Sequence, residues 1–343
     1  AWVVVSELAR GHVKASATNT AESTALNASS NGLLHLGKLG SGAFVLGSAV
    51  VTIATLTAPT AEAVTCGTGA AITNGADIAI GDYALADQMN AIAIGRLANV
   101  SSSGGIVIGY QAVANQPVAI GIGSGAKAYG DNSIAMGQNA KTYAQGAIAL
   151  GTESNASKYG ALSFGITSNA TGMGSIAMGA ASYAKHGYAI ATGMAANATG
   201  DASIAQGGLS NAIGNLSIAQ GFMANASGVV SIAQGYKASA SDESSVAIGH
   251  AANASGCVSL AIGRFTQAEG VNALALVENA NASGTGGIAI GNGANAKGHY
   301  STAIVAASSA SGNYSMALGP VANATGEASI AQGFRATATH QSA

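Results

Sequence analysis

From Val64 to Ala343 the chain alternates small and aliphatic residues in short runs, and nearly every run closes on a glycine. The string Ser-Ile-Ala-Gln-Gly at Ser203–Gly207 returns at Ser217–Gly221 and Ser231–Gly235, a period of fourteen residues. Stepping by fourteen from Gly67 to Gly333 meets twenty positions; eighteen are glycine, and the other two are Val277 and Val305. No insertion or deletion breaks this register. Three residues before the glycine stands an aliphatic side chain (Ile78, Ile92, Ile106 and onward to Ile330), with Thr302 the one break in that column. Two before it the residue is small, as in Ala79, Ala93, Ala135 and Ala205. Three and five after it small residues return, as in Ala84 and Ala86 or Ala224 and Ala226. Seven after it a second glycine is frequent: Gly130, Gly172, Gly200, Gly228, Gly256, Gly284 and Gly326.

Each half of this unit alternates with period two, which predicts short half-buried strands. The two glycine columns are expected to supply tight or left-handed turns. A helix fails, because two interior glycines per unit would each cost roughly 1 kcal/mol against alanine. The expected fold is therefore all-β, a parallel β-solenoid of about twenty coils with two strands per coil. At about 4.8 Å per coil that is a rod roughly 95 Å long. So thin a coil is expected to hold the aliphatic column packed against facing alanines, with no room for large residues on both strands. The residue just before the glycine is also often apolar (Ile80, Ile94, Ile108, Met136, Leu150, Phe164, Ile248, Ile290). Which column faces the lumen and which a partner stays open at this level. A continuous apolar stripe on a thin rod predicts a symmetric oligomer.

Composition narrows the function. Of 343 residues only 8% are charged and 5% aromatic, and the net charge is −2. No basic footprint exists to neutralise nucleic-acid phosphates. Three prolines exclude collagen, and a mean hydropathy of +0.34 argues against a disordered tail.

The S-[IV]-A-x-G-x-x-A-x-A-x-G columns resemble the YadA-like head repeats of trimeric autotransporter adhesins of Gram-negative bacteria. The resemblance spans residues 64–343 in one register. It implies a left-handed parallel β-roll, a homotrimer, and a place at the distal end of a surface fibre. Ala1–Lys14 (AWVVVSELARGHVK) looks like the second half of the extended signal-peptide region of such proteins. From the residues alone, Arg10, Lys14 and Lys38 precede an apolar run from Ala43 to Ala58, and Ala61-Glu62-Ala63 fits a small-x-small cleavage site. Residues 1–63 are thus expected to be a partial extended signal region and signal peptide, and 64–343 the head. A lipoprotein reading of Cys66 fits poorly, since Thr65 is not the small residue expected before it. The resemblance further implies a neck, stalk and outer-membrane anchor. Residues 64–343 carry no heptad run or amphipathic anchor strands, so the chain is expected to be a fragment of a longer surface protein.

Candidate chemistry is sparse, and no catalytic, metal or cofactor site is expected. His12, His35, His186, His250, His299 and His340 do not stack on one another in adjacent coils. No Cys/His cluster has ligand spacing. Asp242 and Glu243 are sequence neighbours and read as a solvated turn, while Glu153, Glu269, Glu278 and Glu327 are scattered. Cys66 and Cys257 lie nearly fourteen coils apart, too far for an intrachain disulfide, and each is expected to be a small buried or interface residue. Asparagines four after the glycine (Asn99, Asn155, Asn169, Asn197, Asn211, Asn225, Asn253, Asn281, Asn295, Asn323) are expected to form a hydrogen-bonded ladder. Several also start N-x-S/T sequons, which leaves glycosylation open. Gln206, Gln220, Gln234 and Gln332 replace apolar residues just before the glycine. If that column faces a three-fold axis, they form polar rings able to hold water or an anion; otherwise they are an exposed patch.

The leading functional expectation is adhesion, with many shallow contacts adding up along the repeats. The resemblance implies extracellular-matrix proteins, host-cell receptors or self-association between cells as partners, at the cell surface. The alternative is a structural spacer or self-associating biofilm fibre. An ice-binding solenoid would need a regular threonine rank, and a hexapeptide-repeat acyltransferase a six-residue period; neither is present.

Overall fold

The computed structural model describes residues 2–3, 15–16, 43–46, 49–52, 64–73 and 77–340. Two compact units emerge, Ala1–Thr60 and Ala61–Ala343. In the first, Trp2–Val3 pairs antiparallel with Ala15–Ser16, and Ala43–Leu46 with Ala49–Thr52. That second pair occupies much of the apolar run from Ala43 to Ala58. Arg10, Lys14, Lys38, residues 53–58 and the cleavage triplet Ala61–Ala63 lie outside the described residues.

In the second unit each coil contributes a three-residue strand and a two-residue strand, as in Ile92–Ile94 and Asn99–Val100. Like strands of successive coils pair in parallel, Ile92 with Ile106 and Asn99 with Val113. The three-residue ladder runs from Val64–Cys66 to Ile330–Gln332, and the two-residue ladder from Ala71–Ile72 to Thr337–Ala338. The result is an all-β parallel solenoid of about nineteen coils, close to the expected twenty, with no helix among the described residues.

The lumen differs from the expectation. The aliphatic Ile92 column does not fill it. Between the terminal coils, Ala93 and its equivalents are fully buried, as are the columns of Ala91, Ala98 and Val100. Four inward columns of alanine and serine thus form the core, and the largest fully buried side chains are Val100, Val107, Thr142 and Thr266. Ile92 and Ile94 flank Ala93 on the same strand and both point outward, half-buried. Alternation fixes that neighbours oppose each other; volume decides which one goes in. Two strands this close leave no space for an isoleucine between them.

Many lumen serines satisfy their hydroxyls on the preceding corner, although Ser217, Ser259 and Ser301 leave theirs without a partner. Ser203 Oγ donates to the Gly200 carbonyl at 2.7 Å, and Ser210 Oγ to the Gly207 carbonyl at 2.8 Å. Each closes the corner it follows, so a buried polar atom is paired without another side chain.

The first glycine column answers to two constraints. Gly123 sits at φ 124°, and a Cβ there would lie 2.5 Å from the carbonyl oxygen of Gly137 in the next coil. The second column differs from the expectation. Gly130 has no left-handed backbone; glycine is needed because a Cβ would collide with the Ala144 carbonyl. Left-handed residues stand instead two after each glycine position, at Leu97 (φ 60°) and Gln111 (φ 54°) among others, and again seven residues later, at Val118 (φ 56°). Val277 and Val305 occupy the first glycine column at φ 82° and 88°. A β-branched residue there is strained.

Three substitutions test this packing through the thermal midpoint. Ala219→Leu, in the lumen, should destabilise by about 3 kcal/mol through overpacking, whereas Ile218→Leu on the outer side should cost less than about 1.5 kcal/mol. Equal effects would contradict the inward assignment. Val277→Gly should raise the midpoint by relieving on the order of 1 kcal/mol of backbone strain.

Candidate functional site: the outer faces of the solenoid

Because the Ala93 column points inward, its two neighbours form one outer face on the three-residue ladder. The Ile92 column is aliphatic almost throughout, and Thr302 and Met316 are its only non-branched-aliphatic members between Ile78 and Ile330. The Ile94 column beside it is apolar in most coils. Together they make a strip two side chains wide that runs the length of the ladder. Most of its members are half-buried, with Ile108 at 40% and Met136 at 42% exposure among the most open.

One stretch interrupts the strip. Thr192, Gln206, Gln220 and Gln234 are register partners in successive coils, while Ile190, Ile204, Ile218 and Ile232 continue unbroken beside them. All three glutamines are exposed, and Gln220 Nε2 donates to Gln206 Oε1 at 3.1 Å. Gln332 is also exposed on this face, but it lies in the last coil, beside Leu318 of the adjacent one, and stands apart from the block.

The two-residue ladder presents the Asn99 column outward. Asn155 Nδ2 donates to Asn169 Oδ1 at 2.9 Å, Asn197 to Asn211 at 2.8 Å, and Asn211 to Asn225 at 3.3 Å. The expected ladder therefore exists in part: it joins Asn155 to Asn169 and Asn197 through Asn211 to Asn225, while the consecutive Asn281 and Asn295 do not bond to each other. Tyr183, Ser239 and Gln267 interrupt the column, and Asn281 Nδ2 bonds to Gln267 Oε1 instead.

A corner carries a feature not singled out from sequence. Phe222 stacks on Tyr236 with ring centroids 5.9 Å apart, and Tyr236 on His250 at 5.0 Å. His250 meets the edge of Phe265 at 5.1 Å. In the next coil Arg264 lies over Phe265 and pairs with Glu278 at 3.1 Å. Phe222, Tyr236, His250, Arg264 and Glu278 all follow the glycine position directly, so the column itself was the available signal.

The remaining candidates are dispersed. Asp242 and Glu243 form an exposed turn in which Asp242 Oδ1 accepts the Glu243 amide at 2.8 Å. Glu153, Glu269 and Glu327 are exposed on separate coils. His186, His250, His299 and His340 are exposed and apart, and His12 and His35 lie outside the described residues. Among the described residues no group of three His, Cys, Asp or Glu side chains converges as a metal site would require. Both cysteines are free; Cys257 is half-buried, and Cys66 is exposed in the first coil, in the same outward column as Ile80 and Ile94. A shallow, open groove lined by Asn139, Lys141, Tyr143, Glu153 and Asn155 offers no enclosed chamber.

Comparison with known proteins agrees with the columns. The family model of the YadA head domain repeat matches residues 76–98, 119–196, 212–256, 259–276, 282–304 and 306–343, more than half of the chain. No curated protein matches the chain.

Asn211 tests the outer ladder, since it both donates and accepts within it. Asn211→Ala should lower stability by about 1–2 kcal/mol, measured by thermal unfolding, whereas Asn323→Ala at an isolated position should cost less.

Proposed function

The chain belongs to the YadA head-repeat family, and on that premise we propose that residues 64–343 are the adhesive head of a homotrimeric surface adhesin. The observation that carries this reading is the outward apolar strip. At about 4.8 Å per coil and about 3.3 Å per strand residue, it is roughly 90 Å long and on the order of 10 Å wide, or about 900 Å². Monomers rarely expose contiguous apolar patches beyond a few hundred Å². A standard interface takes about 800 Å² from each partner. Covering the strip with two further copies, in left-handed coils packed about a common axis, removes it from water and supports the trimer.

Trimerisation in this form leaves the corners and the asparagine face exposed. Those surfaces are weakly charged and repeated at coil spacing, which suits many weak contacts to an extended ligand. Host extracellular-matrix proteins, cell-surface receptors and other bacteria are the proposed partners; no enzymatic step is assigned. Residues 1–63 are proposed to be the export region, which places the head at the outer surface of a Gram-negative cell.

The first test is the solution mass of the chain by light scattering. The reading expects three times the chain mass, and a stable monomer would overturn it. The second is binding of the trimer to immobilised matrix proteins. Exposed corner residues are replaced by serine, first in one coil and then in blocks of four. Graded loss supports distributed adhesion, abolition by one coil points to a discrete site, and no binding together with cell clumping favours the biofilm-fibre alternative.

A further inference from the structure

A strip built of identical coils has a defect as an interface: it does not know where it is. If every coil carried Ile at both outward positions, one copy could slide along another by one coil, about 4.8 Å. All contacts but those of a terminal coil would then re-form. The Ile92 column offers nothing against this, since Ile190, Ile204, Ile218 and Ile232 are interchangeable under such a shift.

The block in the neighbouring column is different. It begins at Thr192, continues through Gln206, Gln220 and Gln234, and ends against Ile248 in the next coil. We propose that this amide block sets the axial register between copies of the chain. The inference rests on the reading that the copies meet through this face.

The chemistry is that of a polar group placed in an apolar seam. Side by side at the same height, the amides of different copies face amides and can exchange N–H···O bonds. Gln220 already uses one N–H on Gln206 within the chain, leaving the second Gln220 N–H, the Gln206 amide nitrogen and the whole Gln234 amide for a neighbour. Slipped by one coil, Gln234 of one copy faces Ile248 of another, and Gln206 faces Thr192. A desolvated amide against an isoleucine loses its water without gaining a partner. A single buried polar residue fixes the register of paired helices by the same mechanism. The block spans few coils and lies well inside the ladder, so a one-coil slip is penalised at its Ile248 end, whereas at the other end the Thr192 hydroxyl can still pair with the Gln206 amide. Gln332, opposite Leu318 after the same slip, adds a mark near the far end of the ladder.

The test reads register by disulfide trapping in the full chain. With Cys66→Ser and Cys257→Ser as background, Ile108→Cys and Ile122→Cys chains carrying different tags are co-expressed. The two positions lie one coil apart in the column that holds the glutamines. In register, like positions face each other, and oxidation should give 108–108 and 122–122 disulfides; a slip of one coil aligns 108 with 122. Mass spectrometry of the digested protein gives the ratio of mixed to like disulfides. The same measurement is made on chains that also carry Gln206→Leu, Gln220→Leu and Gln234→Leu. The expected result is a ratio at least tenfold higher in the Leu chains, at unchanged oligomer mass. An equal ratio in both backgrounds, with disulfides forming and the mass intact, overturns the register role while leaving the trimer standing. A monomeric mass, or no interchain disulfide in either background, overturns the premise and the inference with it. Should the Leu chains fail to assemble, Gln→Asn at the same three positions keeps the test: shorter amides should hold the register only in part and raise the ratio.

Discussion

Little of this molecule can be understood without the width of its lumen. Between its terminal coils, two strands close over a space that admits alanine and serine and nothing larger than valine or threonine, as the fully buried Val100, Val107, Thr142 and Thr266 mark the limit. Everything bulky must therefore lie outside. An ordinary domain hides its isoleucines and shows its small polar residues; here the inside is small and the outside is greasy. The apolar strip follows from the narrowness of the coil, and the proposed assembly of copies follows from the strip.

The same narrowness moves stability from side-chain burial to the contact between successive coils. An interior alanine contributes little hydrophobic free energy, and each coil touches only its neighbours, so stability accumulates as a sum of near-identical steps. Corner glycines let those steps come close: at Gly123 the backbone of the next coil occupies the volume a side chain would need. Val277 and Val305 show that the corner can be forced, with φ pulled in from the range above 110° found in the neighbouring glycines to 82° and 88°.

The period, the strand character, the parallel register and the asparagine ladder were all legible in the sequence, because each is a repeat of residue type at fixed spacing. The inside-out arrangement was not. An Ile-Ala-Ile run alternates equally well either way round, and only the separation of the two strands decides that Ala93 and not Ile92 faces inward. Gly130 misled for a related reason: glycine is the residue of left-handed turns and also of close approach, and the letter does not distinguish them. The block from Gln206 to Gln234 was visible as an exception within a column, but its meaning depended on knowing that the column lies on the apolar outer face. The Phe222–Tyr236–His250 stack was missed because three different residue types share one corner, and a search for identity passes over them.

Each coil is built from two halves of seven residues that are equivalent on the inside and unlike on the outside: Ala91 and Ala93 in one half correspond to Ala98 and Val100 in the other, while Ile92 corresponds to Asn99. Evolution can therefore edit such a gene only in whole coils. Duplicating or deleting fourteen codons lengthens or shortens the stack and leaves both surfaces in place. A change of seven codons would keep a packed interior and yet rotate everything downstream by half a turn, setting asparagine where its neighbours present isoleucine. The unit of inheritance is thus set by the surfaces, at twice the length that the interior alone would demand.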